Sequence, residues 1–330
     1  MEDNNKMKRD YRLDLLRVLA ILAVLAIHCF GGKGFLANYI NGLCRFSVPV
    51  FVMLSAICCA PKLADITSLS AFYKPRYARV GVPLLLFSFL YMAQSVMAGD
   101  AIVNAARNFI LGKPSYHLWF GFMILGVYIF MPFVSQLVAE INHMLLFVVA
   151  CFAILMTFDV GYGLYCILPF VAYALIGLLI IPILDTVQKI PVRDRLLTGI
   201  ACLLVYIVCG LIAGSIGKHE AYAFTSIYSL VGSMSLMVAT FALLPEKTRV
   251  GFSSIIAIFS SCSFGVYLFH VIAIRGIVRV IPVLAETRFS MATVLWILVT
   301  ISSFAVTFMA SKISVLQIMF GFRSITEKRK

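Results

Sequence analysis

The chain has 330 residues, 62% of them hydrophobic and 12% charged, with a net charge of +13 and a mean hydropathy of +1.02. A soluble domain carries an apolar share of about 45–50%, so this composition excludes one and indicates a polytopic membrane protein. No soluble basic module is available to carry the positive charge, so nucleic acid is not an expected partner; the surrounding lipid is.

Apolar stretches of about 17 to 25 residues match helices across a bilayer core of about 30 Å, and the ten-residue alternation of a membrane barrel is missing. Ten spans are expected, at 11–30, 44–60, 80–98, 117–138, 143–158, 163–184, 196–216, 223–244, 263–283 and 290–313. The predicted fold is all-α, a bundle of about ten transmembrane helices forming one domain over 1–330. An even count places both termini on one side. Eighteen Lys and Arg fall in the loops of that side and six in the opposite loops, so the positive-inside rule makes the termini cytoplasmic.

Asp14, Arg17 and His28 stand in or beside the first apolar segment, LDLLRVLAILAVLAIH. An ionisable group in hydrocarbon costs several kcal/mol, so a membrane helix that keeps three is a functional candidate. The eleven residues from Arg17 to His28 return the helix to within about 20° of one face and rise roughly 16 Å. Asp14 is three residues from Arg17 and a natural partner for it. The basic start resembles a signal peptide, but these charges and the missing small-residue cleavage site point to a retained first helix.

Ser55, in VPVFVMLSAICC, is a small hydroxyl of the kind that packs membrane helices. Ahead of the third span, FYKPRYARVGVP carries Lys74, Arg76 and Arg79, the two arginines three apart and on one face if helical. Paired guanidiniums suit phosphate, although basic residues at a helix mouth also serve as plain anchors. His117 opens the fourth span beside Tyr116 and Trp119, where aromatic anchoring is an equal explanation. In the ninth, SFGVYLFH places His270 three residues after Tyr267, a spacing suited to a structural hydrogen bond, and Arg275 and Arg279 follow at interior or cavity-facing positions.

Nine cysteines sit mostly within spans with no C-x-x-C spacing and read as buried small hydrophobes. No G-x-S-x-G, H-E-x-x-H, P-loop or G-x-G-x-x-G occurs, and no metal site is expected. Intramembrane Arg, Asp and His also mark solute pathways, so a secondary transporter or exporter of an anionic or glycan-linked solute is the alternative, against which the missing internal repeat weighs.

Taken in register, RVLAILAVLAIH, VPVFVMLSA, FYKPRYARVGVP, HLWFGFMILGVY and SFGVYLFH resemble the integral-membrane acyltransferase family 3. The stand-alone polysaccharide O-acetyltransferases of that family, including the enterobacterial common antigen and O-antigen enzymes, are the most similar in length. The resemblance implies transfer of acetyl from cytoplasmic acetyl-CoA to a sugar hydroxyl of a glycan or lipid-linked glycan, at the periplasmic side of a bacterial inner membrane. It assigns importance to Arg17 and His28 through R-x10-H, and to Arg76 and Arg79 through R-x-x-R. His28 is then the expected catalytic residue, and Arg17, Arg76 and Arg79 the acetyl-CoA contacts. Asp14, His117, Tyr267, His270 and Arg275 are candidate orienting or acceptor-side groups. One departure stands in span two, where Ala56 replaces the glycine common after the serine.

Overall fold

A computed structural model describes residues 9–32, 34–64, 66, 68–157 and 167–322. The expected cytoplasmic cations Lys6, Lys8, Arg323, Lys328, Arg329 and Lys330, the opposite-side Lys33 and the start of the sixth span at 163 lie outside the described residues. In chain order the helices are α1 (Tyr11–Phe30), α2 (Phe35–Cys44), α3 (Ser47–Ala64), α4 (Leu69–Arg76), a π turn (Tyr77–Gly81), α5 (Val82–Met97), α6 (Ile102–Ile110), α7 (Trp119–Glu140) and α8 (His143–Leu155). There follow α9 (Ile167–Leu179), α10 (Ile181–Lys189), α11 (Val192–Ile216), α12 (His219–Tyr222), α13 (Ile227–Leu243), α14 (Val250–Val280), α15 (Phe289–Ala310) and α16 (Ser314–Met319). No strand occurs among the described residues. The protein is an all-α, multi-pass membrane protein.

Nine helical segments among the described residues are long and apolar enough to cross a bilayer. The tenth expected span is α8, whose 13 residues cover only about 20 Å. Its two ends nevertheless lie toward opposite ends of α7. It starts beyond the C-terminal end of α7, and the Thr157 carbonyl that follows it accepts from Thr225 Oγ1 at 3.2 Å. Thr225 adjoins Phe224, whose ring lies 5.9 Å from that of Trp119 at the opposite end of α7.

Three expected boundaries shift. The second span is preceded by α2, the third begins at Leu69 rather than 80, and the ninth at Val250 rather than 263. Asn38, Asn41 and Arg45 and the basic FYKPRYAR segment dilute hydropathy without preventing helix, because backbone hydrogen bonds do not depend on side-chain polarity, whereas the head of α14, VGFSSIIAIFSSC, is apolar despite its serines and simply extends the expected span.

Local caps mark several starts. Asp10 accepts from the Arg12 amide at 2.9 Å ahead of α1, and Asn142 from the amides of Met144 and Leu145 ahead of α8, satisfying amides that have no intrahelical partner. Helix α1 is central, packed against α2, α3, α14 and α15. Where α2 meets α11 the backbones touch: a Cβ on Gly42 would lie 2.2 Å from the Gly210 carbonyl oxygen, the close approach that small residues permit. The bundle exterior is apolar, with Leu86, Phe89, Phe133, Leu197 and Leu204 exposed, as a lipid-facing surface requires. The eight described cysteines form no disulfide with one another; Cys29, Cys59 and Cys262 are buried as expected, whereas Cys58 is exposed.

Candidate active site

The head of α1 carries a charge cluster built on one carboxylate. Asp14 is 4% exposed and accepts from Arg9 Nε at 2.5 Å, Ser260 Oγ at 2.6 Å and Arg17 Nη1 at 3.4 Å. Arg17 Nη1 also donates to Ser260 Oγ at 3.1 Å, and its Nη2 approaches Cys58 Sγ at 3.5 Å. The carboxylate thus fixes Arg17 between α14 and α3, and two guanidiniums offset the cost of keeping an anion out of water.

From Arg17 a cavity of about 460 Å³ runs along α1. Arg17, Ser55, Val80, Tyr128 and Ser263 line one end; His28, Arg45, Tyr116, His117 and Trp119 line the other. The eleven-residue spacing therefore does what helical geometry requires, placing Arg17 and His28 on one wall at depths about 16 Å apart. The volume falls in the range of about 300–1,000 Å³ usual for small-molecule sites.

At the far end three histidines meet. The His28 ring is 5.1 Å from that of His270 and 6.5 Å from that of His117, and the last two are 4.8 Å apart. His270 is fully buried, and its Nδ1 lies 2.7 Å from the Tyr267 carbonyl. A carbonyl can only accept, so Nδ1 carries a proton. The Tyr267 hydroxyl donates to the His117 carbonyl and accepts from the Gly121 amide, both at 3.0 Å. The i, i+3 pair is joined within α14 through the Tyr267 backbone rather than across helices, while the phenol pins the start of α7 beside the histidines. His117 Nδ1 shares a 3.2 Å hydrogen bond with Ser115 Oγ.

Three expected placements differ. Arg76 and Arg79 do not share an α-helical face, because the π turn begins between them and its i→i+5 bonding widens the spacing. Arg76 folds back, donating to the Phe72 carbonyl, with its guanidinium 3.6 Å from the Phe72 ring centre and Nε 3.3 Å from Cys59 Sγ. Arg79 is exposed, and neither arginine lines the cavity, although Val80 does. Since Cys58 and Cys59 are neighbours, Arg17 and Arg76 still flank one point of α3. Arg275 and Arg279 are exposed rather than interior. The long Arg275 side chain reaches Gln94 Oε1 at 2.5 Å and lies 5.8 Å from the Tyr91 ring centre, as an arginine near a helix end does when it can leave the apolar interior.

One cavity cation lay outside the sequence expectation. Arg45, read from the sequence as a loop charge, closes α2 and lines the histidine end, its guanidinium 5.0 Å from the Tyr222 ring centre and 5.4 Å from that of Phe224. The helix that precedes it carries it to the cavity wall. The usable signal was the pair of aromatics at 222 and 224, suited to a guanidinium face.

A family model described as an acyltransferase domain matches residues 10–312, a region that includes Asp14, Arg17, His28, both arginines of R-x-x-R and the late histidine. No curated protein and no solved structure matches the chain. With one model spanning nearly all of its length, and the basic and histidine clusters joined by one cavity inside that span, the chain belongs to the integral-membrane acyltransferase family 3.

Proposed function

We propose that this membrane acyltransferase takes acetyl from acetyl-CoA at the basic end of the bundle and passes it to a hydroxyl of a bacterial surface glycan, or its lipid-linked precursor, at the histidine end. The carrying observation is the single cavity lined by Arg17 at one end and by His28 and His117 at the other. A CoA has a polyanionic head and a long, nearly neutral arm. Arg17, Arg76 and Arg79 suit the head, and the roughly 16 Å between Arg17 and His28 suits the arm, which would carry the thioester to the imidazoles.

There His28, on the cavity wall, accepts the proton of the acceptor hydroxyl as its oxygen attacks the thioester carbonyl carbon. The carbon–sulfur bond breaks, an ester forms, and the departing CoA thiolate takes a proton back from the imidazolium. His117, His270 and Tyr267 hold that end of the cavity in shape, and Arg45 is placed to meet the developing oxyanion or an acidic sugar. The positive-inside bias supports a cytoplasmic basic end and a periplasmic histidine end.

The test is transfer. Purified protein is incubated with acetyl-labelled CoA and candidate glycans, and the label is expected in ester linkage on the glycan. Movement of either compound across proteoliposomes with no covalent transfer would overturn the proposal in favour of a transporter.

A further inference from the structure

A second cavity, of about 640 Å³, opens at the basic end, between the head of α1, the junction of α10 and α11, and the segment after α13. It is held in place by Tyr11, whose hydroxyl donates to the Pro245 carbonyl at 2.7 Å, and by Arg12, whose guanidinium lies 4.4 Å from the Phe241 ring centre. Five cations line it, namely Arg9, Arg12, Lys189, Arg195 and Lys247, against the carboxylates Asp10, Asp185 and Glu246. Asp10 is already taken: Arg12 donates to it through Nε at 3.0 Å and Nη2 at 2.7 Å.

Two donors in this wall have no such partner. Arg12 is 3% exposed, and its Nη1, like the Nε of Arg195, is shut from water without a hydrogen bond. Unpaired buried donors on charged groups are costly, and a small shift of either guanidinium toward the cavity would let an oxyanion there relieve them. Every lining residue is charged or polar, which favours a polar occupant over a lipid tail, and the space exceeds what one phosphate fills. Asp185, Glu246 and Gln188 add acceptors for hydroxyl or amino hydrogens. Arg9 lines this cavity and also holds Asp14, which holds Arg17. The two cavities therefore share one carboxylate-bridged wall.

We propose that this second cavity binds a phosphorylated nucleotide, its phosphates on Arg12 and Arg195 with Lys189 and Lys247 beside them. The occupant is either a free nucleotide or the nucleotide end of the acyl donor; the latter identification rests on the proposed function and would move the donor's phosphates from Arg76 and Arg79 to this cavity, while the site itself does not rest on it.

Binding of adenosine 3′,5′-bisphosphate, ADP and inorganic phosphate to the full-length protein in nanodiscs tests it by calorimetry. A nucleotide is expected to bind at least tenfold more tightly than inorganic phosphate, and the double variant Arg195→Gln/Lys189→Gln, at the bundle end, is expected to lose at least tenfold in that affinity. Displacement by desulfo-CoA would identify the donor's end and simultaneous binding a separate nucleotide; either supports the site. The inference fails if no nucleotide binds, if inorganic phosphate binds as tightly, or if the double variant binds unchanged. Acetyl transfer is read independently on the same preparation: transfer without this binding removes the second site alone, and binding without transfer removes the proposed function alone.

Discussion

Asp14 does more than its position beside Arg17 suggests, because its two oxygens hold Arg9, Arg17 and Ser260 together. Replacing it with alanine leaves Arg17 without its counter-ion at the cavity mouth. Loss of a charged hydrogen bond costs about 1–3 kcal/mol, reduced here because Arg17 is partly exposed. Asp14→Ala is therefore expected to lower the thermal midpoint and raise KM for the donor. Arg9→Ala, with a side chain 57% exposed, is expected to do less; equal effects would mean that Asp14 is not the organiser. The two ends of the cavity separate kinetically. His28→Ala should lower kcat by about 10²–10⁴-fold, the usual contribution of a general base, and leave donor affinity intact. Arg17→Ala should weaken donor binding first. Calorimetry and steady-state rates on folded variants check both, and a fully active His28→Ala would remove His28 from the chemistry.

Elements pack here through backbone as much as through side chains, and glycine decides where. A Cβ on Gly214 of α11 would lie 2.7 Å from the Tyr39 Cα of α2, whereas one on Gly251 at the head of α14 meets nothing within 4 Å. Gly214→Val is expected to cost about 1–3 kcal/mol through overpacking against a backbone that cannot rotate away. Gly251→Ala should be neutral or stabilising by up to about 1 kcal/mol. Thermal unfolding in detergent distinguishes them, and equal midpoints would deny the close contact between α2 and α11. The same scale explains what could be read in advance. Helices α1, α7 and α15 were legible because their apolar runs coincide with their ends. By contrast α2, and α4 with its π turn, carry Asn, Arg or Lys within helix, so the apolar run begins after the helix does, while the first half of α14, apolar despite its serines, extends the expected span at its head. The face shared by Arg17 and His28 followed from helical arithmetic on one element. Arg45 and the inward turn of Arg76 depend on packing between elements, which no periodicity within a segment records.

At the scale of the whole molecule, the short α8 decides the topology. Nine crossings would put the residues around Arg9 and Lys312 on opposite sides of the membrane; ten put them together. Helix α8 is about 10 Å shorter than the bilayer core, yet Thr157 is hydrogen-bonded at the bundle end opposite to where α8 begins. A short helix can cross where neighbours cover it or the bilayer thins locally, and α8 packs along α9. The head of α1, the α10–α11 junction and the segment after α13 line one cavity, so those three loops already share a side, the one rich in Lys and Arg. Reporter fusions that fluoresce only in the cytoplasm, placed ahead of Arg9, in the α10–α11 loop at Pro191 and after Phe322, should therefore all be bright. A fusion in the α11–α12 loop at Lys218 should be dark. A dark fusion after Phe322 together with a bright one ahead of Arg9 would mean that α8 turns back without crossing. The histidine end, reached from α7 at Trp119 and from α14 at His270, would then no longer open to a single compartment, and delivery of an acyl group across the membrane would lose its geometric basis.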